Sequence, residues 1–166
     1  MKRVLVRADQ CIGCKACEIA CVQQHLDEDA GNHGHRPIAV SRIRVECADE
    51  GRAAVRSGDT DGPGHRGNRL RSYVVLCEHC DDPECVVACV SGALTKDPDE
   101  VVRYHPELCS GCLLCITACN YGAIYEDPDG KGVIKCDLCG GKETPSCVGA
   151  CKVDALYLEP DAHGGK

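Results

Sequence analysis

The chain has no tryptophan and no phenylalanine, and only five tyrosines in 166 residues. Large aromatic side chains are the usual core fillers, so something else must organise this interior. No run of about 20 apolar residues occurs, so nothing reads as a membrane span. The opening MKRVLVRADQC has only a few apolar residues, interrupted by Arg7. A secretory signal needs roughly 7–15 there. No twin-arginine pair opens the chain either. These absences lead us to expect a cytoplasmic protein whose thiols stay reduced. Positive charge is also short. The formal net charge of −7 disfavours nucleic acid, which selects a basic face, and suits protein partners. No Ser–His–Asp set, paired carboxylates or flavin fingerprint stands out. The Gly-rich GPGHRGN stretch lacks the Lys-Ser/Thr of a phosphate loop.

What the chain has is cysteine, seventeen in all. Sixteen fall into four groups. Group one is Cys11, Cys14, Cys17 and Cys21; group two is Cys77, Cys80, Cys85 and Cys89; group three is Cys109, Cys112, Cys115 and Cys119; group four is Cys136, Cys139, Cys147 and Cys151. Each group opens with C-x2-C and closes with C-x3-C. The middle gap alone varies, through two, four, two and seven residues. In group four the inserted GGKETPS, with its glycines and proline, is an easily built loop.

The repeat extends beyond the cysteines. Short apolar segments precede the groups: VLVRADQC, YVVLC, VVRYHPELC and GVIKC. Ala93-Leu94, Ala123-Ile124 and Ala155-Leu156 follow three of them at the same offset. We therefore expect a unit of strand, cysteine loop, short helix and strand, and all four groups doing one job.

That job is iron–sulfur ligation. A [4Fe–4S] cube needs one outer thiolate per iron. Three closely spaced cysteines wrap one part of the cube, and the fourth thiolate comes from elsewhere. In two-cluster ferredoxins the last Cys of each run ligates the other cluster. Sixteen cysteines at four per cube imply four cubes. Zinc ribbons use two CxxC pairs per metal and have no need of the third and fourth positions. Gly13 and Gly111 inside the loops allow positive φ and close backbone approach. Ile12, Leu113, Leu114 and Ile116 are expected to pack against the cubes. Oxidised cubes would add roughly −8 to the protein charge, and the cubes themselves would supply the missing core.

These residues resemble the four-cluster ferredoxin-like subunits of oxidoreductase complexes. That family includes the iron–sulfur subunits of dimethyl sulfoxide reductase, formate dehydrogenase and formate hydrogenlyase. It also includes the ferredoxin-like partner of CO dehydrogenase and the small subunit of multisubunit tungsten aldehyde oxidoreductases. Group two, CEHCDDPEC, is similar to the family's C-x-H-C-x-x-P-x-C. The resemblance implies that groups one and four pair, and that two and three pair. Cys11, Cys14 and Cys17 would take Cys151; Cys136, Cys139 and Cys147 would take Cys21. Cys77, Cys80 and Cys85 would take Cys119; Cys109, Cys112 and Cys115 would take Cys89. The implied fold is one α+β domain of two nested ferredoxin-like modules, the outer at 1–25 plus 126–160 and the inner at 70–125. An insert at 26–69 would carry a β-hairpin and loop. The chain departs from ferredoxin runs in lacking proline after the last cysteine of each group, where Val22, Val90, Asn120 and Lys152 stand.

The expected function is a non-catalytic wire. It would pass single electrons between a catalytic subunit and a second redox protein, such as a flavin/NAD subunit or ferredoxin. A tungsten or molybdenum aldehyde oxidoreductase ranks first as the catalytic subunit, with formate or CO dehydrogenase behind it. A freely diffusing polyferredoxin is the alternative, and an iron–sulfur sensor is disfavoured because no residues remain for an output domain. Each end of a wire must meet something, which leaves room for end-to-end self-association. Of the remaining candidates, Cys47 reads as a buried apolar thiol. His79 reads either as a donor to cluster sulfur or as structural. His33 and His35 read as solvated, and Lys15 as a charge that would raise its local cube's potential.

Overall fold

The computed structural model describes residues 3–32, 40–48 and 71–158. Its strands are short, and each pairs with one antiparallel neighbour. β1 (Val4–Val6) pairs with β8 (Leu156–Leu158), joining the two ends of the chain. β2 (Arg44–Ala48) pairs with β3 (Arg71–Val75). β4 (Leu94–Lys96) pairs with β5 (Val102–Tyr104), and β6 (Ile124–Glu126) with β7 (Val133–Lys135). The strands fall where the apolar segments before and after the cysteine groups predict them. The β4–β5 and β6–β7 turns are equivalent, and each closes on an aspartate carbonyl. Glu100 N–H donates to Asp97 O at 2.9 Å, and Gly130 N–H to Asp127 O at 2.7 Å.

Four helices follow the cysteine loops: α1 (Ala16–Asn32), α2 (Glu84–Val87), α3 (Leu114–Ala118) and α5 (Ser146–Gly149). Between the first cysteines of group four and α5 lies α4 (Leu138–Gly141), a turn rather than a regular helix, since Cys139 and Gly140 are left-handed within it. The third cysteine of every group is the second residue of its helix: Cys17, Cys85, Cys115 and Cys147. α2 and α5 both start from a proline at the N-cap, Pro83 and Pro145. The longer middle gaps are therefore absorbed before that proline, and the third cysteine returns to the same place. α1 is longer than the short helix expected. Residues 18–26, EIACVQQHL, are mostly good helix formers, and no proline intervenes before Pro37.

α1 packs on α5, and α2 on α3. Two apolar clusters result. One joins Val4, Ile43, Val45, Leu76, Leu138 and Leu156 with Cys17, Cys21 and Cys147. The other joins Leu94, Ile124 and Val133 with Cys115. Among the described residues, no helix is long and apolar enough to cross a membrane.

Candidate metal centres

The residue just before the second cysteine is left-handed in all four groups: Gly13 at φ +69°, His79 at +46°, Gly111 at +70° and Leu138 at +56°. This turn folds the loop so that its amides face its own sulfurs. Gly111 N–H donates to Cys109 Sγ at 3.5 Å, and Leu138 N–H to Cys136 Sγ at 3.4 Å. Further amides reach Cys119 from Ala123 at 3.3 Å, Cys139 from Ser146 at 3.4 Å and Cys21 from Arg42 at 3.3 Å. Amide donors stabilise thiolate over thiol. An L-residue in this region costs about 1–2 kcal/mol, so His79 and Leu138 are held there by their surroundings. Both side chains are almost fully buried.

The helix pairing brings cysteines of different groups together. Cys11, Cys14 and Cys17 line one cavity with Cys151. Cys109, Cys112 and Cys115 line another with Cys89. The other two sets meet as electrostatic neighbours. Burial pushes Cys85 up to about 11, and the thiols of Cys77, Cys119 and Cys80 add to that. Burial pushes Cys147 up to about 12, helped by Cys139, Cys21 and Cys17. Cys136 is raised by burial and then by Cys77 and Cys147. Cys17 also acts electrostatically on Cys147, and Cys77 on Cys136.

These residues fit a [4Fe–4S] cluster. Among the described residues, no three His, Cys, Asp or Glu converge as the ligands of a single metal ion do. The cysteines instead stand around spaces, as thiolates on separate irons must. Burial disfavours ionisation of Cys17, Cys85, Cys115, Cys136 and Cys147, and a bound metal deprotonates such a thiol outright.

Other side chains of the site carry little sequence signal. His25, one helical turn beyond Cys21, is buried and lies 3.6 Å from Asp137. Burial opposes ionisation of Cys139, but His25 and Ser146 hydrogen bonds outweigh it and lower that thiol. Burial, then the nearby Cys109 thiol, raises the Tyr104 hydroxyl above the ordinary phenol range, and that hydroxyl accepts the Val133 N–H at 3.4 Å. Lys135 is buried beside Val133's face of β7, a position that strand alternation alone assigns to the interior. His79 Nδ1 accepts the Val102 N–H at 3.1 Å, while Nε2 has no partner. Burial, backed by the Lys135 charge, pulls this imidazole down to about 3.

Some expectations need correcting. Cys47 is exposed, not buried. It continues the inward alternation of Ile43 and Val45, but at the end of β2 that face meets Ser72 and the Gly13 loop instead of the core. Ile12 is 68 % exposed and Leu114 is 48 % exposed, so each covers its loop only in part. Leu113 and Ile116 pack inward. Lys15 is engaged by Glu18 at 3.8 Å. His33 and His35 lie outside the described residues.

Residues 72–161 match the 4Fe-4S dicluster domain, and the chain belongs to that family. It is 34 % identical over 155 residues to the putative oxidoreductase AegA of Escherichia coli K12, covering 87 % of this chain and 20 % of that protein. It is 29 % identical over 136 residues to the iron–sulfur subunit of the nitrate-inducible formate dehydrogenase of the same organism, covering 81 % and 45 %. It is 31 % identical over 105 residues to one of the chains of the anaerobic dimethyl sulfoxide reductase of Haemophilus influenzae, covering 63 % and 45 %. The protein thus spans less than half the length of these relatives.

Proposed function

We propose that this chain is the electron-relay unit of an oxidoreductase complex, holding four [4Fe–4S] clusters and catalysing no substrate chemistry itself. The observation that carries this is the pair of cavities, each lined by three cysteines of one group and the last cysteine of another. The sets are Cys11, Cys14, Cys17 with Cys151; Cys136, Cys139, Cys147 with Cys21; Cys77, Cys80, Cys85 with Cys119; and Cys109, Cys112, Cys115 with Cys89. The first two sets form an outer module tied by β1–β8 and α1–α5, and the last two an inner module tied by α2–α3. In that order the sets form a row.

When bound, such a cluster takes up and gives back one electron. The protein's part is to hold neighbours close, exclude water and set the potentials through hydrogen bonds and charge. Similarity to subunits of formate dehydrogenase and dimethyl sulfoxide reductase supports a catalytic partner at one end. We place a tungsten or molybdenum enzyme there, an aldehyde oxidoreductase or formate dehydrogenase. A flavin/NAD subunit, a ferredoxin or a second copy of this chain meets the other end. A reducing cytoplasm keeps sixteen thiols available for iron.

The test is an anaerobic pull-down of the tagged protein from its own host, with metals counted and partners identified. About sixteen irons per chain with a large molybdenum- or tungsten-containing subunit supports the docked wire. The same iron with no partner makes it a diffusible carrier. About eight irons leaves a two-cluster protein and overturns the four-cluster reading.

A further inference from the structure

The outer and inner modules meet at a buried polar junction. Lys135 Nζ donates to Val102 O at 2.5 Å and to Cys136 O at 2.6 Å. Val102 N–H in turn donates to His79 Nδ1 at 3.1 Å. One residue's backbone therefore links a buried ammonium to a buried imidazole. Lys135 is 3 % exposed, and among the described residues no carboxylate pairs with it. A buried charge must be compensated, and among the described residues its direct hydrogen-bond acceptors are carbonyl oxygens alone. Its charge is felt at Cys85 on one side and Cys136 on the other.

His79 adds a second unmatched group. Because Nδ1 accepts, a neutral imidazole carries its proton on Nε2. That N–H is fully buried and has no partner. The residue is also left-handed, in the position that groups one and three give to glycine. A strained, buried residue with an unpaired donor implies an acceptor at that spot.

We propose that Lys135 is the shared counter-charge of the two clusters that meet between the modules, and that His79 is the N–H donor to one of them. This rests on the four-cluster reading. Lys135 serves the sets containing Cys136 and Cys77, and His79 serves the set containing Cys77. Both are positioning residues. The other two contacts in the row lie within modules, where helix pairs span them; this one is bridged through Val102. A shared cation favours the reduced state of both neighbours and lessens the penalty of placing an electron beside another.

The test is redox titration of the holoprotein followed by electron paramagnetic resonance, with iron counted in every sample. Lys135→Met keeps the apolar stem and removes the charge. It is expected to lower two cluster midpoints, each by at least tenfold in the reduction equilibrium, about 59 mV for one electron, while the other two stay. Lys135→Arg should restore most of the shift. His79→Leu places leucine where group four already carries Leu138 in the same conformation. It should lower one midpoint, and that one should belong to the pair moved by Lys135→Met. Full iron with no midpoint moved, or with all four moved equally, overturns the proposal. A wild-type iron count near eight overturns the four-cluster reading, and the junction with it. If the variants fail to load, pulsed resonance on unaltered protein labelled with 15N-histidine and 15N-lysine decides. Coupling of a reduced cluster to both nitrogens supports the junction, and its absence overturns it.

Discussion

The Arg44 guanidinium carbon lies 3.6 Å from the centroid of the Tyr125 ring. This contact ties β2, in the stretch between groups one and two, to β6 of the cluster-bearing part. A cation over an aromatic face contributes about 0.5–2 kcal/mol. Arg44→Ala should therefore speed thermal loss of the visible iron–sulfur absorbance severalfold under anaerobic conditions. Tyr125→Phe should not, because it keeps the ring and removes a buried hydroxyl that has no partner. Equal losses in both variants would show that the hydroxyl, not the ring, matters.

Gly13 faces two constraints at once. Its φ is +69°, and a Cβ there would stand 2.6 Å from Ser72 Oγ and 3.1 Å from Cys47 Sγ. Gly111 has nearly the same φ but open space around it. Gly13→Ala is thus expected to cost more than the roughly 1–2 kcal/mol of backbone strain that Gly111→Ala costs. Ser72→Ala should relieve part of the difference. Iron content after anaerobic reconstitution checks this, with about four irons lost in Gly13→Ala. Equal behaviour of the two glycine variants would remove Ser72 from the account.

The repeat was the legible part of this fold. Every strand around the cysteine groups falls where Val, Ile and Leu cluster beside them, because three-residue strands need only a short apolar run. The partner of each strand was harder. β1 meets β8 across nearly the whole chain, and no local signal specifies that; only the family resemblance implied it. Cys47 misled because alternation along VSRIRVEC says which way a side chain points, not how far the core extends. Lys135 went unnoticed because a lysine is almost always exposed. Its place on the Val133 face of β7 was the one available clue. His79 stood out from the sequence, but the left-handed backbone that makes it unusual follows from the cysteine loop's geometry.

Arg103 spans Asp97 at 2.6 Å and Asp99 at 2.6 Å across the β4–β5 turn. The Arg103 hydrogen bonds hold the Asp99 carboxyl at about 2. A carboxylate lowered in the folded state contributes stability at neutral pH, and that stability is lost only as pH falls from about 4 through 2. The pair is half exposed, so solvent screening leaves about 0.5 kcal/mol. Asp99→Asn should shorten the half-life of cluster release about twofold. The ratio to wild type should be the same at pH 7 and pH 5, since Asp99 stays ionised at both. A ratio that shrinks between those values would show that another group governs the turn.

Two hydroxyls test whether the fourth cysteine of group two crosses to group three. The Tyr104 hydroxyl is close enough to the Cys109 thiol to be shifted by it, and Ser91 Oγ lies 3.7 Å from Cys89 Sγ. Both cysteines line one cavity. A hydrogen bond to a ligating thiolate disperses its charge and raises the potential of the cluster it holds. Tyr104→Phe and Ser91→Ala should each lower one midpoint. If Cys89 and Cys109 bind the same cluster, it is the same midpoint, and the double variant lowers it further while the other three stay. If Cys89 instead stays with Cys77, Cys80 and Cys85, the two variants move two different midpoints. Tyr104→Phe also strips the Val133 N–H of its acceptor, at a cost of about 1–3 kcal/mol if that amide stays dry. It should therefore release iron faster than Ser91→Ala even where the two shift the same potential.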